Sequence, residues 1–230
     1  NAALNTFKAS GPPTPDDGLS VDIETSGTTM RPIMKLPAIR DADLTVRVTG
    51  RTATVNVGRG TVEVTPGRKL NIASGVFAIA DTHLKPAPAR ATFRMDGTLP
   101  AAAALLASDA LRDSVGIVLD PTTSRGTVAA QVTVNVPIAK KMPEDAASYS
   151  ITADLTNFAA DKMLLGQKVE AAMLRVTASN DGYQIKGDVK VNGTPATIEV
   201  RQQKGDPDAE LKLQATIDEA ARRRLAIDFG

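Results

Sequence analysis

The sequence predicts a mainly β protein: a long, twisted and curved antiparallel sheet forming an open groove, with two or three short helices. Three observations predict it. Apolar and polar residues alternate along most of the chain, the period of a strand with two unlike faces. Gly, Pro, Asn and Asp interrupt the alternation at short intervals, as hairpin turns require. Those intervals leave no room for the helical crossovers that parallel neighbours need.

Residues 1–18 come first and include Gly11-Pro12-Pro13-Thr14-Pro15-Asp16-Asp17-Gly18. A segment so rich in Pro, Gly and Asp buries little surface, and it reads as a flexible arm or linker. Alternation then begins with Leu19, Val21 and Ile23 and returns with Leu44, Val46 and Val48. Ala53, Val55 and Val57 follow Gly50-Arg51, and Val62 and Val64 follow a turn at Gly58-Arg59-Gly60. Leu70 and Ile72 follow Pro66-Gly67; residues 76–80, then Phe93 and Met95, complete the first run.

A helix is expected next. Thr98 is a capping type, Pro100 falls in the first turn where its missing N–H is harmless, and Ala101 to Leu106 are strong helix formers. A second short turn is expected from Asp109 to Arg112. Strands resume with Val128, Ala130, Val132, Val134 and Val136, then Tyr149, Ile151, Ala153 and Leu155. Leu174, Val176 and Ala178 lead into Asn180-Asp181-Gly182, a tight-turn signal. Tyr183, Ile185, Val189 and Val191 answer them, and Asn192-Gly193 turns into Ala196, Ile198 and Val200. Leu211 to Ile217 form the last strand, and Asp218 caps a short helix through Leu225. Residues 19–230 thus read as one module, with 19–113 and 114–230 as sub-halves related by a weak internal repeat at most.

Composition narrows the function. Of 230 residues, 42% are hydrophobic but only 3% aromatic, with no Trp. The interior is therefore filled by aliphatic side chains, and the stacking platforms that nucleic acids use are scarce. A net charge of +1 steers no polyanion, and Arg222-Arg223-Arg224 reads as a solvated helix face; no nucleic-acid partner is expected. With no Cys, disulfides, thiolate metal sites and thiol catalysis are excluded, while the compartment stays open. No apolar stretch approaches the ~18–20 residues of a membrane span.

No catalytic constellation emerges. His83 is the single His; without a nucleophile motif beside it, it reads as a loop or strand-end residue rather than a base. Gly58-Arg59-Gly60 lacks the third Gly and the helix of a dinucleotide fingerprint. Asp16-Asp17, Glu144-Asp145 and Asp206 with Asp208 read as solvated carboxylates. The expectation is a non-enzyme with no metal and no cofactor.

What remains is the alternation. An apolar face either packs on a second layer or stays open as a groove, and the shortage of helices to cover it favours the groove. Its candidate lining is Val46, Val48, Val55, Val57, Val62, Val64, Val132, Val134, Ile151, Ile185, Val189 and Ile198.

Three stretches carry a resemblance. The first runs from Gly75-Val76-Phe77-Ala78-Ile79-Ala80-Asp81 through Pro86 and Pro88 to Phe93-Arg94-Met95-Asp96-Gly97 and the Ala/Leu helix. The second is Gly116-Ile117-Val118-Leu119-Asp120-Pro121 with Arg125-Gly126-Thr127-Val128 and the strand ending at Val136-Pro137. The third is Ile185-Lys186-Gly187-Asp188 to Asn192-Gly193-Thr194-Pro195-Ala196, closing with Ile217-Asp218-Glu219-Ala220-Ala221 and Leu225. In order and spacing they resemble the AsmA-like superfamily, in particular its large YhdP-type members, over most of residues 40–228.

The resemblance implies a periplasmic location, with the full-length protein anchored in the inner membrane, and an apolar β groove that passes phospholipid between inner and outer membrane. The implied partners are phospholipid or another acyl-chain lipid and neighbouring segments of the same full-length chain, this chain being an internal fragment. Open strand edges invite pairing, so edge-strand homo-association is a further expectation. The competing expectation is a non-catalytic structural or assembly β domain of the cell envelope with a closed core.

Overall fold

The computed structural model describes residues 14–31, 36–109, 111, 119–139, 146–164 and 166–216. Among the described residues eleven strands and one α-helix succeed one another: β1 (Ser20–Met30), β2 (Ile39–Thr49), β3 (Ala53–Thr65), β4 (Arg68–Ile79), β5 (Ala87–Thr98), α1 (Leu99–Leu106), β6 (Ser124–Ile138), β7 (Ser148–Leu164), β8 (Gln167–Ser179), β9 (Gly182–Val191), β10 (Thr194–Gln203) and β11 (Glu210–Ala215). They form one sheet whose spatial order is the chain order, so every strand lies beside its sequence neighbours. The sheet is an open antiparallel meander with β1 and β11 at its edges. β5 and β6 pair without a break from Ala87↔Ile138 to Thr98↔Thr127, so the sheet runs uninterrupted across the middle of the chain.

One face is apolar from edge to edge. A single row shows it: Met30, Ile39, Val62, Leu70, Gly97, Val128, Leu155 and Leu174 are successive cross-strand partners from β1 to β8. Gly187 of β9 lies against Leu174 and pairs with Ile198, which pairs with Leu213 of β11. The opposite face is polar. There Arg47 meets Asp22, and Asn71, Asp96, Asp154, Arg175, Lys186, Glu199 and Lys212 lie along one stripe from β4 to β11, with Ala129 at its β6 position.

The apolar face survives two lines of bulges. Side chains alternate along a regular strand, so Val57 and Val62, an odd number apart, would point to opposite sides. They share a face because β3 shifts phase at Gly58-Arg59. β2 shifts at Arg40–Asp43, β1 between Thr25 and Thr28, and β4 between Ile72 and Ser74. Gly27 and Asp41, with φ of 60° and 51°, supply the backbone turns; Gly and Asp are among the residues that tolerate that region. A second line crosses β6 at Gly126 (φ 123°) and β7 at Asn157 (φ 52°). In β8 it crosses at Ala172 and Met173, which are both exposed between the buried Ala171 and Leu174. Each bulge bends its strand and increases its twist.

Several expectations change. Gly58-Arg59-Gly60 is not a turn between strands but the bulged middle of the thirteen-residue β3. Leu70-Ile72 and residues 76–79 belong to one strand, β4, for the same reason. Strand extends well beyond the expected cores: β7 runs on to Leu164 and β8 starts at Gln167, over residues whose alternation the second bulge line breaks. α1 forms where expected, with Pro at its first turn, but the Thr98 side chain makes no capping hydrogen bond. Of the expected turn at 109–112, Asp109 and Leu111 are described, both in a turn, with Leu111 N–H donating to the Ser108 carbonyl at 3.0 Å; the helix from Asp218 to Leu225, Glu144-Asp145 and residues 222–224 lie outside the described residues. Of the expected arm, the described end is anchored. Asp16–Gly18 forms a 3-10 turn, and Gly50 N–H donates to the Asp16 carbonyl at 3.2 Å.

Candidate functional site: the apolar face

The apolar face has a buried and a half-buried part, and α1 lies over the β3–β6 portion of the buried one. The helix is apolar all round, and it buries Leu99, Ala101 and Ala103 against β3, β4, β5 and β6. Beneath it lie Val62, Leu70, Ile72 and Val128 in one continuous core that reaches Leu155, Phe158, Leu174, Val189 and Ile198. Leu70 and Leu174 are each only 1% exposed. Glycines set the depth of this packing. A Cβ on Gly97 would stand 2.7 Å from Leu70 Cδ2, and one on Gly187 would stand 2.8 Å from Leu174 Cδ2. The absent side chains are what let the two leucines lie flat across β5 and β9.

At the other end of the strands the same face is half-buried. Ile23, Val46, Val55, Phe77, Ala91, Val134 and Tyr149 form one row across β1–β7. Ile23 is 48% exposed, and the other six are half-buried. The adjacent row holds Val21, Val48, Ala53, Ile79, Ala89 and Val136, of which only Ala89 is buried. Burial pushes the phenols of Tyr149 and Tyr183, both on this face, above their ordinary pKa.

The structure therefore sorts the candidate lining into two groups on one face. Val46, Val48, Val55, Val57, Val64, Val134 and Ile151 are half-buried, while Val62, Val132, Ile185, Val189 and Ile198 are buried. Val57 and Val64 pack against the buried core and mark its margin. The lining that sequence reasoning passed over is Val21, Ile23, Phe77, Ile79, Ala91 and Val136. Val21 and Ile23 were read as strand residues. Their place on the open rows follows from register, which alternation alone does not give.

A polar cluster stands at the strand ends beside the half-buried part. Asp16 accepts the Thr49 hydroxyl and the Arg51 N–H, and Thr82 N–H donates to the Arg51 carbonyl at 2.7 Å. Arg51 Nη2 lies 2.5 Å from Asp81 Oδ2. The Arg51 guanidinium, with help from the His83 N–H, holds the Asp81 carboxyl below the ordinary carboxylate range. His83 Nδ1 stands 4.0 Å from Asp81 Oδ1. These contacts tie the β2–β3 turn to the β4–β5 loop. Among the described residues no cluster of three metal-ligating side chains occurs.

The polar face carries its own relief. A concavity of about 740 Å³ is lined by Arg94, Asp96, Gln131, Thr133, Asp154 and Arg175, and one of about 440 Å³ by Thr152, Thr177, Gln184 and Arg201 among others. Arg175 Nη1 donates to both Asp154 oxygens at 2.7 and 3.0 Å. Such exposed pairs contribute little to stability. Among the described residues no helix is long and apolar enough to cross a membrane. Comparison with family models, with curated proteins and with solved structures gives no match.

Proposed function

We propose that this chain is an extracytoplasmic segment of a membrane-anchored AsmA-like protein, whose apolar sheet face carries phospholipid between the inner and outer membranes. The observation that carries the reading is the half-buried row from Ile23 to Tyr149, apolar across seven adjacent strands and left uncovered by α1. An acyl chain laid on such a row loses water at about 25 cal/mol per Å² of apolar area. The contacts are non-directional, which suits passage more than retention. The polar opposite face keeps the segment wettable.

The test is mass spectrometry of organic extracts of the purified chain. Co-purifying phospholipid is expected, and Val46→Lys with Val55→Lys should deplete it several-fold. A folded chain that carries no lipid, and takes none up from vesicles, contradicts the reading for this segment.

A second reading has its own support. Ile185, Val189 and Ile198, candidates for the lining, are 8%, 4% and 7% exposed, as in a closed structural domain. A solvent-sensitive apolar dye separates the two: a closed core binds little, whereas the open rows of β1–β7 bind it until lipid displaces it.

A further inference from the structure

The polar face has one row that its charge pairs leave alone. Arg94, Gln131, Thr152, Thr177, Gln184 and Arg201 are successive cross-strand partners from β5 to β10. In residue type the row is the same from either end. The two hollows of this face run along it and meet at Ser150 and Thr152, which line both. Among the described residues no carboxylate lies within ion-pair distance of Arg94 or Arg201, and the side chains of Gln131, Thr152 and Thr177 make no hydrogen bond. On one flanking row every carboxylate is engaged: Asp96 accepts from Asn71 at 3.2 Å, Asp154 from Arg175 at 2.7 Å and Glu199 from Gln184 at 2.7 Å. The other flank carries Thr133, Ser150 and Ser179 and no charge.

We infer that this row is a binding trough for a linear acidic glycan, whose hydroxyls meet the glutamines and threonines and whose carboxylates meet Arg94 and Arg201. Each feature of the ligand follows from the row. Neighbouring strands lie about 4.8 Å apart, so the two arginines stand roughly 24 Å from each other across the sheet. A ligand that meets both is an extended chain. A planar guanidinium without a partner matches a carboxylate in a fork of two hydrogen bonds. The amides and hydroxyls between the arginines offer donors and acceptors together, which suits a chain of sugar hydroxyls. Nucleic acid would need stacking platforms, and the row has none. A bilayer surface is too broad and flat to enter the hollows. Both arginines are exposed, so binding is weak and salt-sensitive. The inference concerns the face opposite to the lipid reading and does not rest on it.

Fluorescence anisotropy of a labelled oligogalacturonate, titrated with the whole chain, tests it. Saturable binding is expected. Arg94→Gln with Arg201→Gln should raise the dissociation constant about tenfold. Arg47→Gln, on the same face beside Asp22 but off the row, should leave it unchanged. Far-ultraviolet circular dichroism checks that each variant is folded. Neutral dextran should not compete. No saturable binding to the folded chain, competition by dextran equal to that of unlabelled oligogalacturonate, or the same loss in Arg47→Gln overturns the proposal. Equal competition by polyglutamate overturns it in favour of an acidic peptide, and equal competition by phosphatidylglycerol vesicles in favour of an anionic membrane.

Discussion

Arg59 Nε lies 2.6 Å from Asp43 Oδ2, and the other oxygen of that carboxylate accepts the N–H of Gly27 at 3.2 Å. One side chain of β2 thus ties the bulge of β1 to that of β3. Asp43→Ala should cost about 1 kcal/mol, the ordinary net worth of a charge-assisted hydrogen bond at a half-exposed site. Arg59→Ala removes only an exposed ion pair and should cost less than about 0.5 kcal/mol. Urea midpoints of the two variants check the order. Equal effects would mean that the Gly27 contact adds nothing.

The glycines under the leucines make a sharper case. Gly97→Ala puts a methyl 2.7 Å from Leu70 Cδ2, and Gly187→Ala puts one 2.8 Å from both Leu174 Cδ2 and the Met173 carbonyl oxygen. Overpacking of this kind costs about 1–3 kcal/mol. Truncating the facing leucine makes room, so Leu70→Ala and Gly97→Ala together should cost less than the sum of the two. A double-mutant cycle by denaturant unfolding measures that coupling.

Thr194 offers a change in the other direction. Its hydroxyl oxygen is buried and has no hydrogen-bond partner among the described residues, and the residue is 1% exposed beside Val191. Thr194→Val keeps the shape and removes a desolvated polar atom, so it should raise stability by about 1 kcal/mol. A rise in thermal midpoint checks it; a fall would place an undetected partner on that oxygen.

The Arg51–Asp81 contact predicts a pH dependence. Asp81 has its folded pKa depressed by Arg51 and by the His83 N–H. Its contribution is therefore present above the unfolded pKa, near 4 for an aspartate, and is lost as pH falls through the lower folded value. Glu170, depressed by Lys168, acts in the same sense. Stability should stay flat from neutral pH to about 5 and decline below it. The deficit of Asp81→Asn relative to the natural chain, seen as a lower thermal midpoint at pH 7, should close as acid protonates Asp81. A gap unchanged at low pH would contradict the assignment.

The sheet was legible because Val, Ile, Leu and Thr alternate over long runs such as residues 128–136 and because Asn192-Gly193 and Pro66-Gly67 mark hairpins. Register was not. Val57 and Val62 fall on one face only through a phase shift at Gly58-Arg59, and in sequence that shift looks like a turn. Residues 156–173 carry no strand expectation for the same reason: Asn157 and the exposed Ala172-Met173 pair break the period between Leu155, Phe158, Ala171 and Leu174. The candidate lining was legible as a set of valines and isoleucines, but its division into buried and half-buried groups is a tertiary fact with no local signature: α1 packs on β3–β6, and Ile185, Val189 and Ile198 are buried on β9 and β10 beyond it.

The central claim is that the open end of the apolar face, and not the polar face, meets acyl chains. Photocross-linking to phospholipid in vesicles tests it most directly, with a photoreactive side chain placed at Val55 on the open row or at Val76, which is 44% exposed on the opposite side of the same hairpin. Lipid adducts at Val55 and none above background at Val76 are predicted. Equal labelling at both positions, or none at Val55 in a folded chain, would contradict the account.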